Sequence, residues 1–109
     1  MQAAKLCQDD VSGIDVNMGC PMKFSTSGGM GAALMKDPEN AQAIMKCLFE
    51  ELGSKISISC KIRCLDTLEE TLSFISMMQP YIHWISIHPR TQSEKSQVPA
   101  KWFMVQQII

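Results

Sequence analysis

Six side chains in this 109-residue chain have types and positions that suit chemistry: Asn17, Cys20, Lys61, Arg63, His88 and Arg90. Cys20 lies in Asn17-Met18-Gly19-Cys20-Pro21, directly after a short apolar run, and Gly28-Gly29-Met30-Gly31 follows it. A strand that ends in a polar tip and delivers a thiol into a loop matches the place where parallel α/β folds keep their reactive groups. Pro21 fixes its own φ and biases Cys20 away from helical backbone, which gives the thiol a defined direction. A cysteine thiol in an unremarkable setting is mostly protonated at neutral pH, which suits a general acid. Lys61 and Arg63 share one parity of an alternating strand; a cation turned inward needs an anion or an electron-rich partner. Arg90, two residues beyond His88, suits substrate or phosphate. Four of them have a plainer reading beside the functional one. Free cysteines are commonly buried as small apolar residues, strand-end lysines are commonly solvated, a lone strand-end histidine is commonly a satisfied polar residue, and Asn17 suits a loop cap.

The elements that must position these groups follow from periodicity. Residues 2 to 11 read as the last turns of a helix with Ala3, Ala4, Leu6 and Cys7 on one side, and a chain that opens inside a helix predicts upstream sequence. Gly13 to Met18 reads as a strand with Ile14, Val16 and Met18 on one face and Asp15 and Asn17 on the other. A turn at Gly28 to Gly31 leads into a short helix from Met30 to Met35. Asp37-Pro38-Glu39 is a helix start, and Ala41, Ile44, Met45, Leu48 and Leu52 make one buried stripe. Gly53 is expected to close that helix in the left-handed position. Ile56 to Arg63 alternates strictly, with the isoleucines and Cys60 one way and Ser57, Ser59, Lys61 and Arg63 the other. The next helix is expected to start at Asp66, with Glu69 completing a capping-box variant, and to bury Leu68, Leu72, Ile75 and Met78 before Pro80 stops it. Ile82 to His88 is the third strand, with Ser86 and His88 opposite Ile85 and Ile87, and Pro99 and Ala100 open a last helical run.

The alternation of strands and helices calls for a parallel sheet. In all three strands the parity turned away from the helices is polar. A doubly wound sheet is covered on both faces and favours continuous apolar strands. The interior of a barrel that ends in a polar site tolerates the observed pattern, so the expected fold class is α/β, an incomplete (β/α)8 TIM barrel of about three parallel strands.

The same residues carry a resemblance. Asn17-Met18-Gly19-Cys20-Pro21 and Gly28-Gly29-Met30-Gly31-Ala32-Ala33-Leu34, with the distal Lys61 and His88, resemble the active-site segment of the tRNA dihydrouridine synthases, nearest to the eukaryotic D-loop type. The resemblance spans residues 3 to about 90 and implies that residues 1–109 are part of an FMN-binding barrel domain, a truncated form of such an enzyme. It implies that NADPH reduces FMN, that the flavin passes a hydride to C6 of a uridine, and that Cys20 protonates C5. It sets Lys61 and His88 against FMN and has Asn17 hydrogen-bond the uracil or flavin. Arg63 and Arg90 then join Asn17 as substrate-binding residues. The partner it implies is tRNA, gripped through regions outside this chain, with the uridine taken out of its stack. Two departures stand out: Pro89 follows His88 where the family usually has glycine, and His83 and Trp84 replace small residues. Two other readings stay open: a noncatalytic truncated fragment, and another FMN barrel oxidoreductase of the dihydroorotate or dihydropyrimidine dehydrogenase type.

Composition sets bounds on these readings. Ten basic and eleven acidic residues nearly cancel, which argues against a strong nucleic-acid surface within this segment. Five cysteines, an odd number spread through apolar positions, suit free thiols in a reducing compartment, hence a cytoplasmic location. Cys60 and Cys64 lack a second pair, so no metal site is expected. No run reaches membrane-spanning length. Strand edges left open by a partial barrel predict self-association.

Overall fold

The computed structural model describes residues 1–109. Three parallel strands, β1 (Gly13–Met18), β2 (Ser57–Arg63) and β3 (Trp84–His88), form one sheet in the order β1-β2-β3. Helix α3 (Pro38–Leu52) joins β1 to β2, and α4 (Leu68–Met78) joins β2 to β3. Both helices pack on the same face of the sheet, where Gln42 Nε2 donates to Met77 O at 2.9 Å and ties one to the other. Three shorter helices, α1 (Gln2–Cys7), α2 (Lys23–Thr26) and α5 (Trp102–Ile108), complete the chain.

The core lies between the apolar parity of the strands and the inner faces of α3 and α4. Met18, Ile58, Cys60 and Ile62 have no exposed surface, and Ala41, Met45, Leu52 and Met78 close over them. Each large aliphatic side chain so buried contributes roughly 1.5–3 kcal/mol. The opposite face is polar and uncovered by any helix, as in an arc cut from a β/α barrel.

Helix starts follow their signals closely. Asp37 Oδ1 accepts from Asn40 N at 3.3 Å with Pro38 in the first turn. The capping box of α4 falls one residue later than expected: Thr67 and Glu70, not Asp66 and Glu69, exchange the two bonds. In α4 Thr71, Phe74 and Met78 are buried, whereas Leu72, expected on the inner face, is exposed. Thr71 earns its interior place by donating to Thr67 O and accepting from Leu65 N, both at 2.9 Å.

Gly53 does not adopt the left-handed conformation; its φ is −63°. Its lack of a side chain matters because a Cβ there would meet Phe49 O at 2.6 Å and the Phe49 ring at 3.1 Å. The first helix ends at Cys7, buries only Ala4, and leaves Leu6 84% exposed. The expected helix from Met30 to Met35 is a 3-10 helix, Gly31–Lys36. It enters from a left-handed glycine, and its exit bond, Asp37 N to Leu34 O, is i to i+3. β3 starts at Trp84 rather than Ile82, because His83 links to β2 differently. Its backbone N donates to Ile58 O at 2.8 Å, while its ring Nδ1 accepts from Ile58 N at 3.0 Å. A side chain thus replaces a ladder carbonyl at the foot of the strand.

Candidate functional site

Parallel register aligns the polar face in rows. Asp15, Ser59 and Trp84 form the lowest row, Asn17, Lys61 and Ser86 the next, and Arg63 and His88 the last, at the C-terminal ends of the strands. Lys61 and His88 therefore share one face. In the lowest row Ser59 Oγ donates to Asp15 Oδ1 at 2.7 Å, and the half-exposed Trp84 indole stands over a hollow shared with both.

Asn17 shapes the loop that follows β1. Its Oδ1 accepts from both Gly19 N and Cys20 N at 3.0 Å, an Asx-type cap that fixes the direction of the chain at Cys20. Cys20 is half-buried. The glycine-rich segment then folds back on it: Ala32 N donates to Cys20 O at 2.8 Å. Gly31, at φ +58°, makes this closure possible. A Cβ at that position would lie 2.5 Å from Ser25 Oγ and 2.6 Å from Cys20 O. Gly31 thus serves close packing against the thiol loop, whereas Gly29 serves only its positive φ.

Arg63 crosses the mouth of the sheet. Its Nε donates to Gly19 O at 2.6 Å and its Nη1 to Thr91 O at 3.0 Å, so one side chain ties together the loops after β1 and β3. Two of its five donors are committed to the fold. Arg90 is likewise engaged: Nε donates to Val98 O at 2.7 Å, Nη2 to Ser96 O at 3.4 Å, and Nη1 meets His88 Nε2 at 3.0 Å. Pro89 sits at the centre of a tight turn in which Arg90 N donates to His88 O at 2.8 Å. Proline's fixed φ is close to what such a three-residue turn needs, and its missing N–H is not called for. The His88 ring is held below the usual histidine range, chiefly by burial and then by the cations Arg63, Arg90 and Lys61. Lys61 is exposed on the open face and makes no ion pair or hydrogen bond within the chain.

The structure brings His88 and Arg90 into contact and joins Arg63 to the Cys20 loop through Gly19. It does not join Lys61 to either cluster. A cleft of about 510 Å³ opens at this end, lined by Pro21, Arg63, His88, Arg90 and the loop from Gln92 to Gln97. Sequence reasoning missed that loop's internal clasp: Thr91 N donates to Glu94 Oε2 at 2.8 Å, and Glu94 pairs with Lys101 at 3.0 Å. These bonds hold the Glu94 carboxyl below the ordinary range. Thr91-Gln-Ser-Glu94 carries the spacing of a capping box, and that was the signal available. Ser25, buried against Gly31, had none.

The polar face thus presents the Lys61 ammonium and the Asn17 amide as hydrogen-bond donors, beside a ring nitrogen of His88 that has no partner within the chain. Such a donor set fits the carbonyl-rich edge of a flavin or pyrimidine ring. No group of three or more His, Cys, Asp or Glu residues is arranged to hold a metal ion, and no helix is long and apolar enough to cross a membrane.

Comparison with known proteins agrees across the whole chain. The family model described as dihydrouridine synthase matches residues 1–109. A Schizosaccharomyces pombe tRNA-dihydrouridine(20) synthase is 41% identical over 112 residues, covering 100% of this chain and 23% of that protein. Its Saccharomyces cerevisiae counterpart is 46% identical over 79 residues, covering 71% of this chain and 21% of that protein. A human tRNA-dihydrouridine(20a/20b) synthase-like protein is 33% identical over 97 residues, covering 87% of this chain and 31% of that protein. All three names specify NAD(P)+. The chain spans less than a third of the length of each of these relatives.

Proposed function

Because this chain belongs to the dihydrouridine synthase family, we propose that it is the thiol-bearing arc of an FMN-dependent tRNA-dihydrouridine synthase, reducing the C5–C6 double bond of a D-loop uridine at the expense of NADPH. One observation carries the reading. Asn17, whose carbonyl caps the thiol loop, shares a sheet face with Lys61 and His88, and that face packs against neither α3 nor α4.

In this reading Lys61 and His88 hold the flavin, and FMN, when bound, supplies the hydride that reaches C6 of the uracil. Cys20 gives its proton to C5, which completes the reduction with no change in the chain beyond a thiolate to be reprotonated. Asn17 fixes the loop through its carbonyl and keeps its amide for the pyrimidine or flavin edge. Arg63 acts first on the protein, by aligning Gly19 and thus Cys20. Its remaining donors, with those of Arg90, face substrate in the cleft. The near balance of charge assigns most of the grip on tRNA to other parts of the enzyme. Five free cysteines suit a reducing compartment such as the cytoplasm.

A segment graft tests the proposal. The Schizosaccharomyces pombe relative aligns along this entire chain, so residues 1–109 can replace the matching segment of that protein. The expected result is a chimera that carries flavin and restores dihydrouridine to tRNA from a strain lacking the native enzyme. Cys20→Ala should keep the flavin and lose the product; Lys61→Ala should lose the flavin. A chimera that binds flavin but oxidises free dihydroorotate, or reduces free pyrimidine bases, and leaves tRNA unmodified would support a different flavin barrel. Full activity with Cys20→Ala would remove the proposed acid.

A further inference from the structure

We propose that Arg90 is a positioning residue that holds His88 as the neutral tautomer protonated on Nδ1, so that β3 ends in one fixed N–H donor. The argument starts from the 3.0 Å contact between Arg90 Nη1 and His88 Nε2. A guanidinium has five donors and no acceptor and does not deprotonate in proteins. The imidazole nitrogen facing it must therefore accept, which requires Nε2 to be bare. A neutral ring with a bare Nε2 carries its proton on Nδ1.

Arg90 is not free to swing away from this task. Its Nε and Nη2 are tied to Val98 O and Ser96 O, and the Pro89 turn folds its backbone N–H onto His88 O at 2.8 Å. The proline that departs from the family's glycine thus stiffens the one connection that brings the guanidinium back onto the ring. The charged groups around His88 favour the neutral form: Lys61 and Arg63 from β2 and Arg90 from its own loop are all cationic, and burial acts in the same direction. The acid of that cleft, Glu94, is engaged with Lys101 and Thr91 N.

Nδ1 of His88 makes no hydrogen bond within the chain, so its proton is available to a ligand acceptor. On the reading of this face as a flavin and pyrimidine site, on which this inference rests for its ligand, the acceptor is a ring carbonyl or an unprotonated ring nitrogen. A histidine held this way discriminates by hydrogen-bond polarity: it greets an acceptor and rejects a donor.

The chain contains its own control. His83, the only other histidine, accepts from Ile58 N through Nδ1 and so must carry its proton on Nε2. Long-range ¹H–¹⁵N NMR of the 109-residue chain near pH 7.5 should show two histidines of opposite tautomer, His88 protonated on Nδ1 and His83 on Nε2. Arg90→Met should convert His88 to the Nε2-protonated form that free histidine prefers and move its titration upward, with the His83 pattern unchanged. Arg90→Lys, which keeps one donor, should restore the Nδ1 signature. A wild-type His88 protonated on Nε2 overturns the inference by itself, whatever becomes of the variants. So does an Nδ1 tautomer that persists in Arg90→Met while His83 reports an intact fold. Because the readout needs neither flavin nor tRNA, an inactive chimera with the expected tautomers would sink the functional reading and leave this one standing.

Discussion

Arg63 Nε lies 2.6 Å from Gly19 O, so the last side chain of the central strand grips the residue just before Cys20. The same guanidinium holds Thr91 O at 3.0 Å. Lysine, a compact ammonium, cannot reproduce a fork that reaches two loops at once. Arg63→Lys should lower stability by about 2 kcal/mol, the scale of a charged hydrogen bond broken in a half-buried setting. It should also speed amide exchange at Gly19 and Cys20. Denaturant melts and hydrogen exchange read these two effects, and an unchanged exchange rate at Cys20 would show that the loop does not depend on this bond.

Two glycines with positive φ separate backbone strain from crowding. At Gly29, φ +77°, a Cβ meets nothing within 4 Å, whereas at Gly31, φ +58°, it collides with Ser25 Oγ and Cys20 O. Gly29→Ala should cost about 1 kcal/mol, the left-handed penalty alone. Gly31→Ala should cost about 3 kcal/mol or more, because overpacking adds to that penalty, and it should make Cys20 markedly more reactive toward a thiol reagent. Equal melting midpoints for the two variants would contradict this account.

Stability should fall at both ends of the pH scale for identifiable reasons. Burial, with a smaller push from Asp15, raises the Cys60 thiol from 9.0 to about 12, and burial raises Cys64 as well. Between pH 9 and about 12 the unfolded chain gives up the Cys60 proton and the folded chain keeps it, so stability declines as pH rises through that window. His88 shifts the other way. Its folded-state affinity for a proton is weakened, so stability falls as pH drops below 6.5, where the unfolded ring charges first. Cys60→Val should flatten the alkaline limb and His88→Asn the onset of the acid one. Urea midpoints measured across pH check both.

The 109-residue chain alone should bind FMN weakly. Lys61 and His88 stand on a face that no other layer covers, so a bound ring would stay wet on one side, and donors in water gain little. Flavin absorbance that survives gel filtration of the isolated chain would refute this.

Both outer strands should draw copies together. β1 and β3 each pair on one side only, and Trp84, 52% exposed, adds apolar surface at the β3 edge. Light scattering should show mass rising with concentration, and Trp84→Lys should reduce the rise. A monodisperse monomer at millimolar concentration would count against edge pairing.

Much of this architecture is legible in the sequence because it rests on period. Strict alternation in Ile56 to Arg63 assigned faces correctly, and the register then placed Lys61 and His88 on one side without any side-chain information. Thr67 shows where such reading slips. Asp66 and Thr67 both make good caps, and only the bond to Glu70 N decides which residue starts α4. Gly53 shows a second limit: helix-ending glycine is usually about φ, whereas here the Phe49 ring sets the requirement, a contact invisible to local rules. For the candidate site, residue types and parity singled out Cys20, Lys61, Arg63 and His88 as candidates. What stayed hidden was the wiring, above all that Arg63 and Arg90 spend most of their contacts on backbone carbonyls, since long-range partners leave no spacing signature.

The paired bonds between His83 and Ile58 sit at the foot of the sheet, the end away from Cys20 and His88. The side-chain bond at the start of β3 and the cluster of Arg63, His88 and Arg90 therefore lie at opposite poles of the sheet. Protein engineers can recut segments 19–36 and 89–101 while the footing that keeps three strands in step stays untouched.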